Sequence, residues 1–297
     1  MIWAHQLKNM PAPRLTSFSF GAGIQSTAIM ILLKQNPEVF TKAGLALPSV
    51  ATWADTGAET FATHEHVQQL MGWGLPLPLI IVQNHRHGGH LDQIGRPPWF
   101  LMGADGRPGQ AIRSCTDKWK IRPLERAVRA EAGFAKGQRM PAGSIHTWVG
   151  ISEDEIQRAK DNPKPAFVNL YPLLEIGYDR QRCVQLVRDT LPWPVPKSSC
   201  YFCPYRRPAE WARIRREEPG EWVRSVELDA ALRSQDPQVL SYLGFTGTPY
   251  LHVSRRPLAE AVDAWEADHA ARQIVGGVPL FDDYDPLDNE CSGLCGL

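Results

Sequence analysis

Two cysteines separated by two residues, in Cys200-Tyr201-Phe202-Cys203-Pro204, form the strongest local chemical signal in this chain. Thiols three positions apart in a turn can converge on one metal ion or exchange as a redox pair, so partner thiols decide between the two. Pro204 stops that turn from continuing as a helix. Further cysteines stand at 115, 183, 291 and 295. The second signal is SFSFGAGIQST over 17–27, a strand, a glycine turn and a helix start. Backbone N–H groups at such a helix start carry partial positive charge and face an anion. Gly21 and Gly23 would let a phosphate approach the backbone closely, and the Ser26 and Thr27 hydroxyls would add donors. The loop lacks the Gly-Lys-Ser/Thr ending of a Walker loop and does not follow GxGxxG. A tight strand-to-helix turn that binds nothing is the competing reading.

Charge gathers beside the Cys-x-x-Cys turn. Between Asp179 and Arg216 lie nine basic residues (Arg180, Arg182, Arg188, Lys197, Arg206, Arg207, Arg213, Arg215, Arg216) against Asp179, Asp189 and Glu210. Such a segment focuses a positive field on an anionic partner. Tyr201, Phe202, Tyr205 and Trp211 interleave with it and would offer stacking to an unpaired base. The alternative is a solvated helix face, its arginines paired with Glu217, Glu218 and Glu221. A smaller basic group, Arg113, Lys118, Lys120 and Arg122, surrounds Cys115. His85, His87 and His90 have metal-like spacing, but in a Gly-rich loop without a rigid frame they are expected to be ordinary loop histidines.

These residues need a scaffold. The 297 residues are 43% hydrophobic and 22% charged, ordinary for a globular protein, which excludes global disorder. Lys plus Arg equals Asp plus Glu, 32 each, so any nucleic-acid contact must come from a local patch. The apolar runs 28–33 and 75–82 are too short to span a bilayer. The N-terminus lacks a basic head followed by an apolar run, so a cytoplasmic protein with reduced thiols and no membrane partner is expected.

Strands are expected near 14–20, 49–54, 79–82 and 146–151, and a long loop over 83–112. Helices are expected after the glycine loop and after Thr60, a candidate cap for a helix carrying Phe61, Val67, Leu70 and Met71. Ile121, Leu124, Val128 and Ala132 mark another, with Pro123 tolerable in its first turn. SEDEIQRAK over 152–160, acidic first and basic last, suits a helix dipole, and Val184, Val187 and Leu191 mark one more helix. Strand–helix alternation with a glycine loop at the first crossover predicts an α/β fold with a doubly wound, mostly parallel sheet. Helical patterns over 208–234 and 255–272 predict a C-terminal helical extension. The acidic, Gly-rich tail is expected to be mobile.

The glycine loop resembles the PP-loop of adenine-nucleotide α-hydrolases, and more closely the Ser-Phe-Gly-Ile-Gln type loop of the phosphoadenosine phosphosulfate (PAPS) reductase branch. Gly21 and Ala22 stand where the common PP-loop has Ser-Gly, and Gln25 stands where it has Asp. Asp55-Thr56-Gly57, followed by Glu59-Thr60, is similar to that family's Asp-Thr-Gly…Glu-Thr element. The segment 113–128 resembles the one in which a cysteine precedes a Lys…Pro-Leu helix. The resemblance spans roughly 14–210 and implies a PP-loop, HUP-like domain over 1–206, with 207–297 as helical extension and Cys-containing tail. It implies an adenine nucleotide, ATP or PAPS/APS, held by Ser19, Phe20, Gly21, Ala22, Gly23, Gln25, Ser26, Thr27, Asp55, Thr56, Gly57 and Glu59, with Mg2+ as a possible companion. Lys120 matches the family lysine, and Arg158 resembles the arginine after the Gly-Ile strand end, both as phosphate or sulfate contacts.

In adenylylsulfate (APS) reductases a Cys pair and a downstream Cys-x-x-Cys hold an iron–sulfur cluster, and DNA phosphorothioation enzymes of the superfamily look like four-Cys cluster carriers. Thr116 replaces the second Cys of the pair here. The resemblance therefore implies a [4Fe–4S] cluster on Cys115, Cys183, Cys200 and Cys203, with zinc as the alternative metal. Cys291 and Cys295 resemble the C-terminal Glu-Cys-Gly-Leu-His of PAPS reductases without its histidine, which makes Cys295 a candidate nucleophile. The implied activity is ATP-dependent adenylation with pyrophosphate release, followed by sulfur insertion into a nucleic acid or nucleoside bound through 180–216. A separate protein would donate sulfur or electrons. The alternatives are a PAPS/APS reductase releasing sulfite, and a non-catalytic nucleic-acid-binding factor with a structural metal.

Overall fold

The computed structural model describes residues 3–83, 97–234 and 245–276. A short 3-10 turn, Ala4–Asn9, precedes β1 (Leu15–Ser19), α1 (Ile24–Gln35), α2 (Glu38–Lys42), β2 (Val50–Asp55), α3 (Phe61–Trp73) and β3 (Leu79–Gln83). The hairpin β4 (Phe100–Met102) and β5 (Pro108–Gln110) leads into a π-helical turn, Thr116–Ile121, and α4 (Arg122–Glu131). The chain continues through β6 (Ile145–Val149), a 3-10 turn Glu153–Arg158, β7 (Phe167–Leu170), α5 (Pro172–Glu175) and α6 (Arg180–Thr190). Last come α7 (Pro208–Glu217), α8 (Pro219–Arg233), β8 (Thr248–Tyr250) and α9 (Leu258–Gly276).

The main sheet has the order β3-β2-β1-β6-β7, and every pairing in it is parallel. The expected α/β class with a parallel sheet and flanking helices is what the chain adopts. β2 is buried along its whole length and β1 along its middle. Parallel strands covered on both faces read as continuous apolar and β-branched runs, which is how these two were legible. Their helix α1 is apolar all round: Ser26 through Leu33 are all buried, between the sheet and α6. Thr60 caps α3 as expected, accepting from the Thr63 N–H at 3.3 Å. On that helix Val67 and Leu70 are buried, whereas Phe61 and Met71 face solvent.

Three short pieces depart from the sequence expectation. β7 adds a fifth strand beside β6. The expected long loop contains the β4–β5 hairpin, and the expected all-helical extension supplies β8, which pairs antiparallel with β4. At Gly247 an added Cβ would lie 2.4 Å from the Met102 carbonyl oxygen, so only glycine admits that pairing.

A second core surrounds this small sheet, joining Trp99 and Leu101 to Trp119, Tyr201, Phe202, Trp211, Leu251 and Val262. It draws on both sides of position 206, so the expected boundary there cuts through packed side chains. Asp229, fully buried on α8, locks it by accepting the Leu251 and Leu258 N–H groups at 2.9 and 2.8 Å and pairing with Arg233. The two cores meet where Glu59 and Cys200 form an isolated antiparallel bridge and the Tyr201 N–H donates to the Ala58 carbonyl at 2.9 Å.

Candidate functional site

Strand order reverses between β1 and β6, because the chain builds outward on one side through β2 and β3 and on the other through β7. In open α/β sheets that reversal leaves a crevice beyond the carboxyl ends of the strands, where ligands bind. Here it is a cleft of about 440 Å³. Its floor is Ser19, Phe20, Gly21 and Gly23, then Gln25 and Ser26 of the first turn of α1, with Thr147, Val149 and Gly150 from β6 opposite. Trp53, Ile121, Leu124, Val128 and Phe167 give one apolar side. Lys120, Arg158, Lys160, Lys164, Arg180 and Lys197 stand around it against Asp117, Glu125, Glu155 and Asp161, which favours an anionic occupant.

The turn into α1 is held by its own side chains. The Ser26 hydroxyl donates to the Gly23 carbonyl at 3.0 Å and accepts the Gly23 N–H at 3.1 Å. The residue with positive φ is Ala22, at 57°, rather than either glycine, and its methyl group is buried. Gly150 permits the closest approach: a Cβ there would lie 3.2 Å from the Ser26 nitrogen. Thr27 does not face the cleft. It is fully buried, with Oγ1 3.0 Å from His66 Nε2, while Trp193 Nε1 donates to His66 Nδ1 at 3.1 Å. Nδ1 accepts, so the ring hydrogen sits on Nε2 and donates to Thr27. Burial pushes the His66 pKa down to about 4, which keeps the ring neutral. Gln25 donates to Glu155 at 3.2 Å, and Glu155 in turn pairs with Arg158. Arg158 lines the cleft, held by a buried carboxylate, with its Nε atom buried and without a partner among the described residues.

The Asp-Thr-Gly element lies off this floor, at the junction with the Cys-x-x-Cys turn. Gly57, at φ 71°, closes a turn in which its N–H donates to Asp55 Oδ1 at 2.8 Å, and Gln83 holds Asp55 Oδ2 at 2.9 Å. Thr56 Oγ1 donates to Glu59 Oε1 at 3.1 Å and lies 3.7 Å from the Cys200 sulfur. Lys120 Nζ is 3.1 Å from the same Glu59 oxygen. Lys120 lines both the nucleotide-sized cleft and a second, smaller cavity of about 30 Å³ bounded by Cys115, Cys200, Cys203, Ser199 and Arg113.

The expected thiol quartet is therefore a trio and an outlier. Cys183 is fully buried on α6 in the sheet domain's core, and burial, followed by the charges of Asp154 and Asp179, pushes its thiol up to about 12. Burial, then the Glu59 charge, also raises the Cys200 thiol well above its ordinary value. Among the described residues no three His, Cys, Asp or Glu side chains are grouped to hold a metal ion. Cys183 belongs to a different core from the one against which Cys115 and Cys200 pack, so the four cysteines expected to share one [4Fe–4S] or zinc site are not brought together.

The basic segment is likewise altered by its neighbours. Glu210, buried on α7, receives both Lys197 and Arg206. Burial would raise its carboxyl, but the two cations outweigh that and hold it below the usual range. Arg213 pairs with Glu217 and Glu218, and Arg215 with Asp263 and Glu266. Tyr201, Phe202 and Trp211 are core side chains rather than a stacking platform. Cys291, Cys295 and the histidines at 85, 87 and 90 lie outside the described residues.

Sequence reasoning missed Gly150, Glu155 and Ser199. A glycine near the end of the strand expected over 146–151 could have pointed to the first; the others became visible only through contacts distant in the chain. No protein-family model matches the chain, and no curated protein sequence matches it. Among solved structures it is similar to the phosphate complex of phosphoadenylyl-sulfate (PAPS) reductase from Candida auris, at TM-score 0.38 and 13% identity, over 65% of this chain and 82% of that one. At that identity the function of this chain has to be argued from its own residues.

Proposed function

We propose that this chain is an adenine-nucleotide-binding enzyme of sulfur chemistry. One observation carries the reading: Lys120 forms a wall shared by a cationic cleft at the sheet's reversal point and a cavity lined by three thiols. A nucleotide's base would lie against the apolar side at Trp53 and Leu124, and its anionic tail would meet the turn into α1. The N–H groups of that first helical turn would stabilise charge developing on a phosphate or sulfate oxygen. Lys120 and Arg158 would fix the tail so that its reactive atom points toward the thiols. In the first form ATP is attacked at its α-phosphate, pyrophosphate leaves, and sulfur displaces AMP from the adenylated acceptor.

A second form is favoured by one specific observation. Gln25 occupies the place of the family's PP-loop aspartate, and Glu155, one of the carboxylates lining the cleft, is engaged by Gln25 and Arg158. A loop with glutamine in place of that aspartate suits a preformed adenylyl sulfate, whose two-electron reduction, with electrons from the separate donor protein, releases sulfite. Calorimetric titration with ATP, APS and PAPS, followed by assays for pyrophosphate and for sulfite, separates the forms. Gly23→Val fills the space before Ser198, where even a Cβ comes within 3.9 Å. It is expected to weaken nucleotide binding at least tenfold with unchanged melting. A wild-type protein that binds none of the three nucleotides overturns the proposal.

A further inference from the structure

Cys200 and Cys203 are the two ends of one tight turn. The Cys203 N–H donates to the Cys200 carbonyl at 3.1 Å, with Tyr201 and Phe202 as the central residues. A hydrogen-bonded turn of this kind keeps its end Cα atoms within about 7 Å of each other. A disulfide spans Cα atoms roughly 4.4–6.8 Å apart. Both cysteines line the same cavity of about 30 Å³, so they share one small space. The turn is also held from outside. The Tyr201 N–H donates to the Ala58 carbonyl at 2.9 Å, Arg206 Nη2 to the Cys200 carbonyl at 2.9 Å, and the Arg206 N–H to the Cys203 carbonyl at 3.2 Å. Tyr201 and Phe202 are core side chains, so the turn opens only if the second core unpacks.

The surroundings disfavour a charged sulfur at Cys200. Burial, then the Glu59 charge, penalises its thiolate, whereas a disulfide carries no charge and loses nothing to burial. Both cysteines are half-buried rather than sealed, which leaves a small reagent a way in. We propose that Cys200 and Cys203 form a reversible dithiol–disulfide couple that exchanges two electrons with a small-molecule thiol or disulfide. The Cys203 thiolate attacks one sulfur of the small disulfide and expels the first thiolate; the Cys200 thiolate then attacks the Cys203 sulfur and expels the second. One S–S bond breaks and one forms, the two cysteine protons end on the two released thiols, and two electrons pass from the protein to the reagent. The ring closes over only four residues, which constrains the unfolded chain little and keeps the bond reducible. This deepens the reading above: the purpose, two electrons stored between the donor protein and the nucleotide cleft, rests on that reading, and the couple itself does not.

The test equilibrates the full chain anaerobically in a graded series of reduced and oxidised glutathione, traps thiols by alkylation and digests with trypsin, with iron and zinc measured on the same sample. Trypsin places Cys200 and Cys203 together on the peptide 198–206 and Cys115 on the peptide 114–118. At the oxidising end the peptide 198–206 is expected unalkylated and lighter by its two thiol hydrogens, and dithiothreitol is expected to restore it. Cys115→Ser is expected to keep this behaviour. The effective concentration of the two thiols is expected at least tenfold higher in the folded chain than in urea, because folding fixes the turn. A peptide that stays a dithiol or carries glutathione, a cross-link to the peptide 114–118, equal effective concentrations folded and in urea, or a disulfide seen only after a bound metal is removed each overturns the proposal. Nucleotide titration of the same sample keeps the two readings apart: a disulfide couple in a chain that binds no nucleotide sinks only the proposed function, and the reverse sinks only the couple.

Discussion

Lys120 Nζ lies 3.1 Å from Glu59 Oε1, and the two are not equally buried: the lysine side chain is 23% exposed and the glutamate side chain not at all. The pair ties the π-helical turn before α4 to the loop after β2, and it forms the partition between cleft and thiol chamber. Its asymmetry predicts unequal mutants. Lys120→Met strands a carboxylate whose other oxygen, Oε2, has no partner among the described residues, and should cost about 3 kcal/mol. Glu59→Gln leaves a cation that can turn toward solvent and should cost about 1 kcal/mol. Urea unfolding of both single variants and the double variant measures this, with the double less destabilised than the sum. Equal losses in the two singles would contradict the described burial.

His66 predicts a pH dependence of stability. Its folded pKa, near 4, lies below the ordinary value, so between pH 4 and about 6.5 the unfolded chain binds the proton and the folded chain does not. Stability from this group is therefore full above pH 6.5 and is lost as pH falls toward 4, by on the order of 3 kcal/mol. Burial lowers His146 and His252 as well, so they add slope of the same sign. His66→Gln keeps a donor for Thr27 but does not titrate. Its unfolding free energy should fall less steeply between pH 6.5 and 4 than the wild type's, as followed by urea titration at each pH.

How far the sequence reveals this arrangement depends on how local each cause is. β1, β2 and α1 are legible because their burial is continuous along the chain. β5, with Pro-Gly-Gln, and β8, with a proline at its centre, have no intrinsic strand signal; they exist because β4 lies between them. Cys183 was misplaced for a different reason. All cysteines look alike as letters, yet Cys183 precedes Val187 by one helical turn and so shares its buried face, a signal that outweighs any ligand spacing. Glu210 shows the same rule: four positions after Arg206, it pairs with that arginine, a contact that a count of charges does not locate. Contacts such as Ser26 with Gly150 or Thr56 with Cys200 join segments more than a hundred residues apart, and no window on the chain contains them.

Asp229 is the keystone of the second core. Its two oxygens accept the Leu251 and Leu258 N–H groups and the Arg233 guanidinium, and no part of it reaches solvent. Asp229→Ala leaves two buried N–H donors and a partly buried cation without an acceptor and should cost about 4 kcal/mol. Asp229→Asn retains one acceptor and should cost about half. Chemical denaturation gives both values. Because α9 and β8 hang on this residue, the alanine variant should also expose the 245–276 segment to proteolysis before the sheet domain unfolds.

Gly150 tests the cleft itself. The chain leaves β6 there and passes the first turn of α1 so closely that a Cβ would sit 3.2 Å from the Ser26 nitrogen and 3.4 Å from its Cα. Both atoms are backbone, and the Ser26–Gly23 hydrogen bonds fix them, so the helix start must move for any side chain to fit. Alanine requires a shift of a few tenths of an ångström and should weaken adenine-nucleotide binding a few-fold. Valine cannot be admitted without turning the first-turn N–H groups away from the cleft, and should weaken binding at least tenfold, about 1.4 kcal/mol, with a smaller change in melting temperature. Titration of AMP and ATP into the three proteins measures the series. Unchanged affinity in Gly150→Val would show that the anion does not rest on this helix start, and the nucleotide reading would fall with it.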